Sequence, residues 1–294
     1  MKKIAKIKLL FIVNPNSGVG NKRFILNLIN ALPSEDIQVD VQQTTHPDHA
    51  TALAQYGIQE GFDRIVAVGG DGTVNEIAKA LIHTGIPLGI IPSGSGNGLA
   101  RHLGIPLEKK KAMKRIVEGQ VAQIDVCYLN QAPFFCTAGV GFDADVGKTF
   151  KTAKTRGWFT YVWHTFKLYM VYAPREYRIR KAGREYAVNA FTITLANANQ
   201  YGNNVFISPL SDIQDGKMEL CVVKPFPKTS GLRFFLRLFL KRIHTSSYYE
   251  VEKVEDLTVI KPVDFPYHLD GETIDDPVSE LHFSIEAGAL AVVC

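Results

Sequence analysis

No Gly-Lys-Ser/Thr follows the glycines of the three segments 14–18, 69–73 and 93–98, none of them has the full GxGxxG spacing, and HRD and DFG elements are missing from the chain. These absences exclude a Walker P-loop, a standard dinucleotide fingerprint and a protein kinase. Cysteine is scarce: Cys127, Cys136, Cys221 and Cys294 stand singly in apolar strand-like runs with no CxxC pair, and are expected as reduced core residues of a cytoplasmic protein. None of the 8 histidines has HExxH or other zinc spacing, so they are expected at the surface or in the core. Internal repeats and low-complexity linkers are absent. The net charge of +4 would help approach to an anion, but falls far short of the dense basic stripe of a nucleic-acid binder. The apolar stretch Leu9 to Val13 is too short for a signal-peptide core and leads into Asn14-Pro15-Asn16-Ser17 instead of a cleavage site.

What is present is glycine at particular places. Ile65-Val66-Ala67-Val68 reads as a buried strand delivering Gly69-Gly70-Asp71-Gly72-Thr73, and Val74-Asn75-Glu76-Ile77 opens a helix. Glycines there let a ligand approach the backbone, and a helix start aims free N–H groups at an anion. A carboxylate such as Asp71 repels phosphates unless a divalent cation bridges them, so the spacing points to a Mg²⁺-nucleotide or to phosphoryl transfer. The plainer alternative is a tight strand-to-helix turn with an Asx-type bond. Two more segments repeat the pattern: Leu9 to Val13 runs into Asn14-Pro15-Asn16-Ser17-Gly18, and Leu88 to Pro92 runs into Ser93-Gly94-Ser95-Gly96-Asn97-Gly98. Three such loops at one end of a parallel sheet form a ligand crevice.

The set Asn14 to Gly18, Thr44-Thr45-His46-Pro47, Gly69 to Thr73 with Asn75-Glu76, Gly94 to Asn97, Gly139 to Ala144, Asp215-Gly216 and Leu269-Asp270-Gly271-Glu272 resembles the diacylglycerol kinase catalytic-domain family of lipid kinases, in order and over nearly the whole chain. The resemblance implies ATP and Mg²⁺ as cofactors. It implies nucleotide binding by Asn14, Pro15, Asn16, Ser17, Gly18, Thr44, Gly69, Gly70, Asp71, Gly72, Thr73, Val74, Asn75, Glu76, Ser95 and Asn97. It also implies Glu272 as proton acceptor with Asp270 close by, although Asp-Gly-Glu can equally be a hairpin turn. In some family members the region matching Asp212, Asp215 and Lys217 holds a structural Mg²⁺; here Asp and Gly are also ordinary turn residues. The third loop is closer to the Gly-Ser-Gly-Asn form of sphingosine kinases, which leaves the lipid open; because bacterial relatives carry acidic residues near the position of Asp145 without a known amine partner, a diacylglycerol-like acceptor is expected, with a sphingoid base as the alternative. An NAD kinase-like enzyme is weakened by Gly98, which has no side chain to bond a ribose. A non-catalytic nucleotide-binding regulator is disfavoured by the intact Asp270-Gly271-Glu272. In sphingosine kinases an Asp in the motif matching Asp145 pairs with the lipid amine.

Strands and helices alternate as far as about Asn130, and strand-like runs dominate beyond it. The fold class expected is an N-terminal parallel-sheet α/β nucleotide-binding domain, 1–128, followed by a C-terminal antiparallel β-sandwich, 129–294. The cleft between them is the expected active site. With 46% hydrophobic residues, 294 residues can bury one large core or two moderate ones. Thr229 to His244 repeats Arg233, Arg237 and Lys241 every four residues, with Phe234, Phe235, Leu238 and Phe239 elsewhere around the helix. It is an interfacial segment or a helix packed on the sandwich, too short and charged to span a bilayer. Trp158 to Tyr172, following Lys148, Lys151, Lys154 and Arg156, lines a lipid-tail channel or belongs to the core. The partners expected are a lipid substrate, the inner membrane surface in peripheral contact and a second copy of the chain.

Overall fold

The computed structural model describes residues 6–18, 22–33, 35–151 and 158–294, with only the backbone at 22, 23, 150, 151 and 158–162. Lys154 and Arg156 lie outside the described residues. Two compact units emerge, one of residues 1–124 with 288–294 and the other of residues 125–287. The chain passes between them in two strands.

In the first unit four strands, β1 (Ile7–Val13), β2 (Ile37–Gln43), β3 (Arg64–Gly69) and β4 (Leu88–Pro92), lie parallel in the order β2-β1-β3-β4. Their connections are the helices α1 (Lys22–Asn30), α2 (His49–Gln59) and α3 (Asp71–Leu81), with α4 (Gly98–His102) and α5 (Lys109–Glu118) following β4. Leu9 to Val13 and Ile65 to Val68 are buried along their whole length, the near-continuous apolar run that a sheet covered on both faces requires. The carboxyl ends of β1, β3 and β4 are tied together, because Asn14 N–H donates to Val68 O at 3.0 Å and Ser93 N–H to Gly69 O at 2.8 Å. The three glycine-bearing loops therefore leave the sheet side by side. Val292 pairs in parallel with Leu88, and Cys294 N–H bonds Gln120 O, so the last residues close the far side of this unit.

The second unit begins inside β5 (Val121–Leu129), followed by β6 (Ala132–Phe134), β7 (Thr137–Gly141), α6 (Phe142–Lys151), α7 (Trp158–Val171), β8 (Arg175–Lys181), β9 (Arg184–Ala190), β10 (Thr192–Ala196) and β11 (Met218–Val223). Then come α8 (Gly231–Phe239), β12 (Tyr249–Val254), β13 (Asp256–Ile260), β14 (Tyr267–Leu269), β15 (Glu272–Ile274) and β16 (Glu280–Val293), the strand that returns to the first unit. One sheet is antiparallel throughout, in the order β12-β11-β10-β7-β14-β15. A second antiparallel set, β9-β8-β13 with the start of β16, shares an apolar core with it. Period-two alternation in β11 divides its side chains: Met218, Leu220 and Val222 enter that core, whereas Cys221 and Val223 enter a second cluster with Tyr169 and Tyr172 near the end of α7 and Phe234 and Leu238 of α8.

The strand-like run Tyr186 to Ala196 is two strands. β9 pairs with β8 in one sheet and β10 with β7 and β11 in the other, and the chain changes sheets at Phe191. The Phe191 ring centroid lies 4.5 Å from that of Phe142 among the aromatics of the second cluster, so a continuous strand-like pattern hid the break.

Candidate active site

The first loop is organised by Asn14. Its Oδ1 accepts Asn16 N–H at 2.8 Å, its carbonyl accepts the Ser17 hydroxyl at 3.0 Å, and its Nδ2 donates to Thr73 Oγ1 at 3.0 Å. That last bond locks the first loop to the start of α3. Gly18 has φ +70° and lies so near Ser93 that a Cβ would sit 1.9 Å from its carbonyl oxygen, so only glycine fits where these loops meet.

The second and third loops touch backbone to backbone, since a Cβ on Gly94 would come within 2.6 Å of the Gly70 Cα. Asp71 joins them. Its carboxylate accepts the Asn97 N–H at 2.8 Å and the Gly98 N–H at 2.7 Å, capping α4 from a helix 26 residues earlier. Asn97 adds a clamp of its own, accepting Gly94 N–H at 3.0 Å and donating to Gly94 O at 2.7 Å.

A crevice of about 440 Å³ opens among these loops, a volume within the range of small-molecule sites. Asn14, Ser17, Gly18, Ser95 and Asn97 line it, as do Ser93 and Gly94. Two cationic residues also line it that sequence reasoning missed, Arg101, whose Nε holds Gly96 O at 2.9 Å, and Lys109. The available signal was the basic residue after the third loop and the Lys109-Lys110-Lys111 run. The remaining expected residues do not line the crevice. Thr73 and Val74 are buried, and Thr44 is buried with its N–H bonded to Val13 O. Glu76 accepts Ala50 N–H at 3.0 Å, which caps the first turn of α2. Pro15, Asn16, Gly69, Gly70, Gly72 and Asn75 are likewise not among the lining residues.

In the second unit Asp270 and Gly271, with φ of 44° and 84°, make a two-residue hairpin between β14 and β15. The turn reading and the functional one meet here. Asp270 is consumed by structure: its carboxylate accepts N–H groups from Phe135 at 2.9 Å, Cys136 at 2.7 Å and Thr137 at 3.0 Å. Glu272, at the start of β15, is exposed. One carboxylate anchors the turn and the other projects from it.

Beneath the hairpin, Asp143 Oδ2 accepts Thr194 Oγ1 at 2.9 Å and Tyr201 Oη at 2.9 Å, and sits 3.1 Å from Nε2 of the buried His268. Burial pushes the Asp143 carboxyl up, but the pull of His268 and the hydrogen bonds that it, Thr192 and Thr194 supply outweigh this and hold it below the usual carboxylate value. Helix α6, which carries Asp143, is held against β15, because Thr273 Oγ1 donates to Ala144 O at 3.3 Å.

Asp212, Asp215 and Lys217 do come together, as a turn. Asp212 Oδ1 accepts Gln214 N–H and Asp215 Oδ1 accepts Lys217 N–H, both at 3.0 Å, while Asp215 Oδ2 pairs with the Lys253 ammonium. An ammonium on the carboxylate does not fit a resident cation, and among the described residues no cluster of three or more His, Cys, Asp or Glu is placed to hold a metal.

A parallel α/β unit with a glycine-built crevice, joined to an antiparallel sandwich with a projecting carboxylate, defines a two-domain phosphotransferase class. The diacylglycerol kinase catalytic domain matches residues 8–129, and the YegS C-terminal NAD kinase beta sandwich-like domain matches residues 136–294. The chain belongs to this family of lipid kinases. Among similar proteins, "Probable lipid kinase YegS" of Escherichia fergusonii is 28% identical over 277 residues, 90% of this chain and 89% of that one. An uncharacterized protein of Synechocystis, sll0036, is 31% identical over 243 residues; the match spans 78% of this chain and 56% of that protein's length. A crystal structure described as a diacylglycerol kinase from Bacillus anthracis shares the fold, with TM-score 0.75, 23% identity and coverage of 98% of this chain and 96% of that one.

Proposed function

We propose that the protein is an ATP- and Mg²⁺-dependent kinase that phosphorylates the hydroxyl of a diacylglycerol-like lipid. The observation that carries this reading is the division of labour in Asp270-Gly271-Glu272, where Asp270 accepts three main-chain N–H groups and Glu272 is left exposed to do chemistry. The first unit would hold the polyphosphate, with Ser17, Ser93 and Ser95 as hydrogen-bonding groups and Arg101 and Lys109 as cations along the crevice. Bound with the nucleotide, Mg²⁺ would offset the charge of the phosphates; no ligand for it is assigned to Asp212 or Asp215. Glu272 accepts the hydroxyl proton as the acceptor oxygen bonds to the γ-phosphorus, the bond to the β–γ bridging oxygen breaks, and ADP leaves. Supplying ATP and Mg²⁺ with a panel of dispersed lipids and with NAD tests the reading. Phosphorylated lipid supports it, phosphorylated NAD replaces the acceptor, and nucleotide binding without turnover makes the protein a regulator.

The same reading places the enzyme at an anionic bilayer. Phe234 and Leu238 of α8 face the core, which corrects the expected apolar side, and a second apolar row remains outside: Leu232, Leu236, Phe239 and the adjoining Leu240, between 43% and 76% exposed. Arg233, Arg237 and Lys241 flank it. Tyr169 of α7 packs edge-on to Phe235 at 5.3 Å, and α7 keeps Trp163, Phe166 and Met170 exposed at one-face spacing. Two packed helices with apolar outer rows and a cationic border complement anionic headgroups over acyl chains. Among the described residues no helix is long and apolar enough to cross a membrane.

A further inference from the structure

A polar row crosses the antiparallel sheet where helix α6 packs on it. Thr194 of β10 stands opposite Gly139 of β7, Gly139 opposite His268 of β14, and His268 opposite Thr273 of β15. Paired positions on neighbouring strands share a face of the sheet. The three side chains of the row are buried, and all of them meet α6: Thr194 and His268 at the Asp143 carboxylate, Thr273 at the Ala144 carbonyl. The row has a gap at Gly139, and Asp143 reaches the residues on both sides of it.

Asp143 divides its oxygens between the helix and the sheet. Oδ1 accepts the Ala144 N–H at 2.9 Å, within the first turn of α6. Oδ2 is met by three separate segments: Thr194 of β10 and Tyr201 of the connection after it at 2.9 Å each, and His268 of β14 at 3.1 Å. The Tyr201 hydroxyl also lies 2.7 Å from that of Thr194, and its ring stands edge-on to His268 at 6.1 Å. A carboxylate charge strengthens each of these bonds. What such a buried network adds over an apolar contact is one defined geometry.

That geometry bears on Glu272. The β14–β15 hairpin has only three residues in each strand and lies at the edge of its sheet, so its own ladder holds it weakly. Side-chain anchors make up the difference: His268 to Asp143, Asp270 to the N–H groups of residues 135–137, and Thr273 to Ala144 O. Glu272 lies between the last two. Gly147 of α6 comes so close that a Cβ there would meet Thr273 Oγ1 at 2.2 Å. A general base has to be held to within about 0.5 Å, and a misplacement of about 1 Å can cost roughly a hundredfold in rate. We infer that Asp143 and His268 are positioning residues for Glu272, pinning the edge hairpin to α6 and so fixing the place from which Glu272 takes the hydroxyl proton. The inference rests on the lipid-kinase reading for the chemistry of Glu272, while the pinning itself is tested apart from it.

The test measures turnover of dioctanoylglycerol with Mg-ATP, and amide hydrogen exchange across residues 267–274, in the full chain. The proteins compared are wild type, Asp143→Asn, His268→Gln, Tyr201→Phe, Glu272→Gln and the double variant Asp143→Asn with Glu272→Gln. Asp143→Asn and His268→Gln should each lower kcat about ten- to a hundredfold with the KM for ATP unchanged. Exchange in the β14–β15 hairpin should quicken more than in the β8–β9 hairpin, which carries none of these bonds. Tyr201→Phe removes one of the three donors and keeps the ring; it should shift both readouts the same way by less, and it carries the test if Asp143→Asn does not fold. In the Glu272→Gln background Asp143→Asn should cost less than about twofold, because a base already absent cannot be misplaced. Equal losses in both backgrounds, or unchanged kcat and exchange in folded variants, overturn the inference. Absence of turnover in the wild type overturns the kinase reading instead; exchange then decides the pinning, quickened exchange in the variants sustaining it and unchanged exchange removing it.

Discussion

The two carboxylates of the Asp270-Gly271-Glu272 turn have adjacent positions and opposite employment. Asp270 accepts three main-chain N–H groups, so Asp270→Ala should lower stability by about 1 to 3 kcal/mol or more through unsatisfied buried donors, seen as a lower melting temperature. Glu272→Gln should leave the melting temperature unchanged and lower turnover roughly a hundred- to ten-thousandfold, the span of a lost general base. If melting falls in Glu272→Gln and not in Asp270→Ala, the assignments are reversed. Asp143 supplies a pH test. Its folded-state pKa lies below the usual carboxylate value, so its contribution is present above that value and is lost as pH falls through the folded pKa. Acid melting curves of the wild type should therefore drop more steeply below about pH 4 than those of Asp143→Asn, and parallel curves would remove Asp143 from the account. A sequence could show the Asp-Gly-Glu turn, but not the three donors, which come from a strand connection more than 130 residues earlier.

Elements were legible where short-range chemistry decides them. Apolar runs ending in Asn14, Gly69 and Ser93 did become β1, β3 and β4 with the crevice loops at their carboxyl ends, because glycine, serine and asparagine punctuate a strand locally. The partner of Asp71 was not legible, since only the folded sheet brings Asn97 and Gly98 to it, and neither was the break at Phe191, where both halves of the run are strand-like and no turn residue separates them. The clamp predicts that Asp71→Asn, which presents an amide N–H where two N–H groups already point, loosens α4 and weakens nucleotide binding; unaltered nucleotide affinity and protease sensitivity in this variant would contradict it. At α8 the periodicity revealed the cationic stripe but misassigned the outer apolar row, because Phe234 and Leu238 are claimed by the core. Replacing Arg233 and Arg237 by Ala should weaken partition onto anionic vesicles by about ten- to thirtyfold at about 1 kcal/mol per basic residue, with little effect on neutral vesicles. Equal loss on both vesicle types would point to misfolding or to a purely apolar contact.

For the whole molecule, composition and element order were enough to anticipate a parallel α/β unit and an antiparallel sandwich. They did not disclose that residues 288–294 group with the first unit, because a last strand's pairing depends on sheet order and not on its own pattern. Glycine-built loops with Arg101 and Lys109 form the nucleotide half of the account, and the Glu272 hairpin forms the acceptor half. Their joint claim is phosphoryl transfer to a lipid. The direct measurement is transfer of label from γ-labelled ATP to dispersed dioctanoylglycerol by the full chain and by its Glu272→Gln variant, with Mg²⁺ present or chelated. The account predicts a labelled, Mg²⁺-dependent phospholipid that falls by two to four orders of magnitude in the variant. No labelled lipid from a folded, ATP-binding protein, or equal label from both proteins, would contradict it.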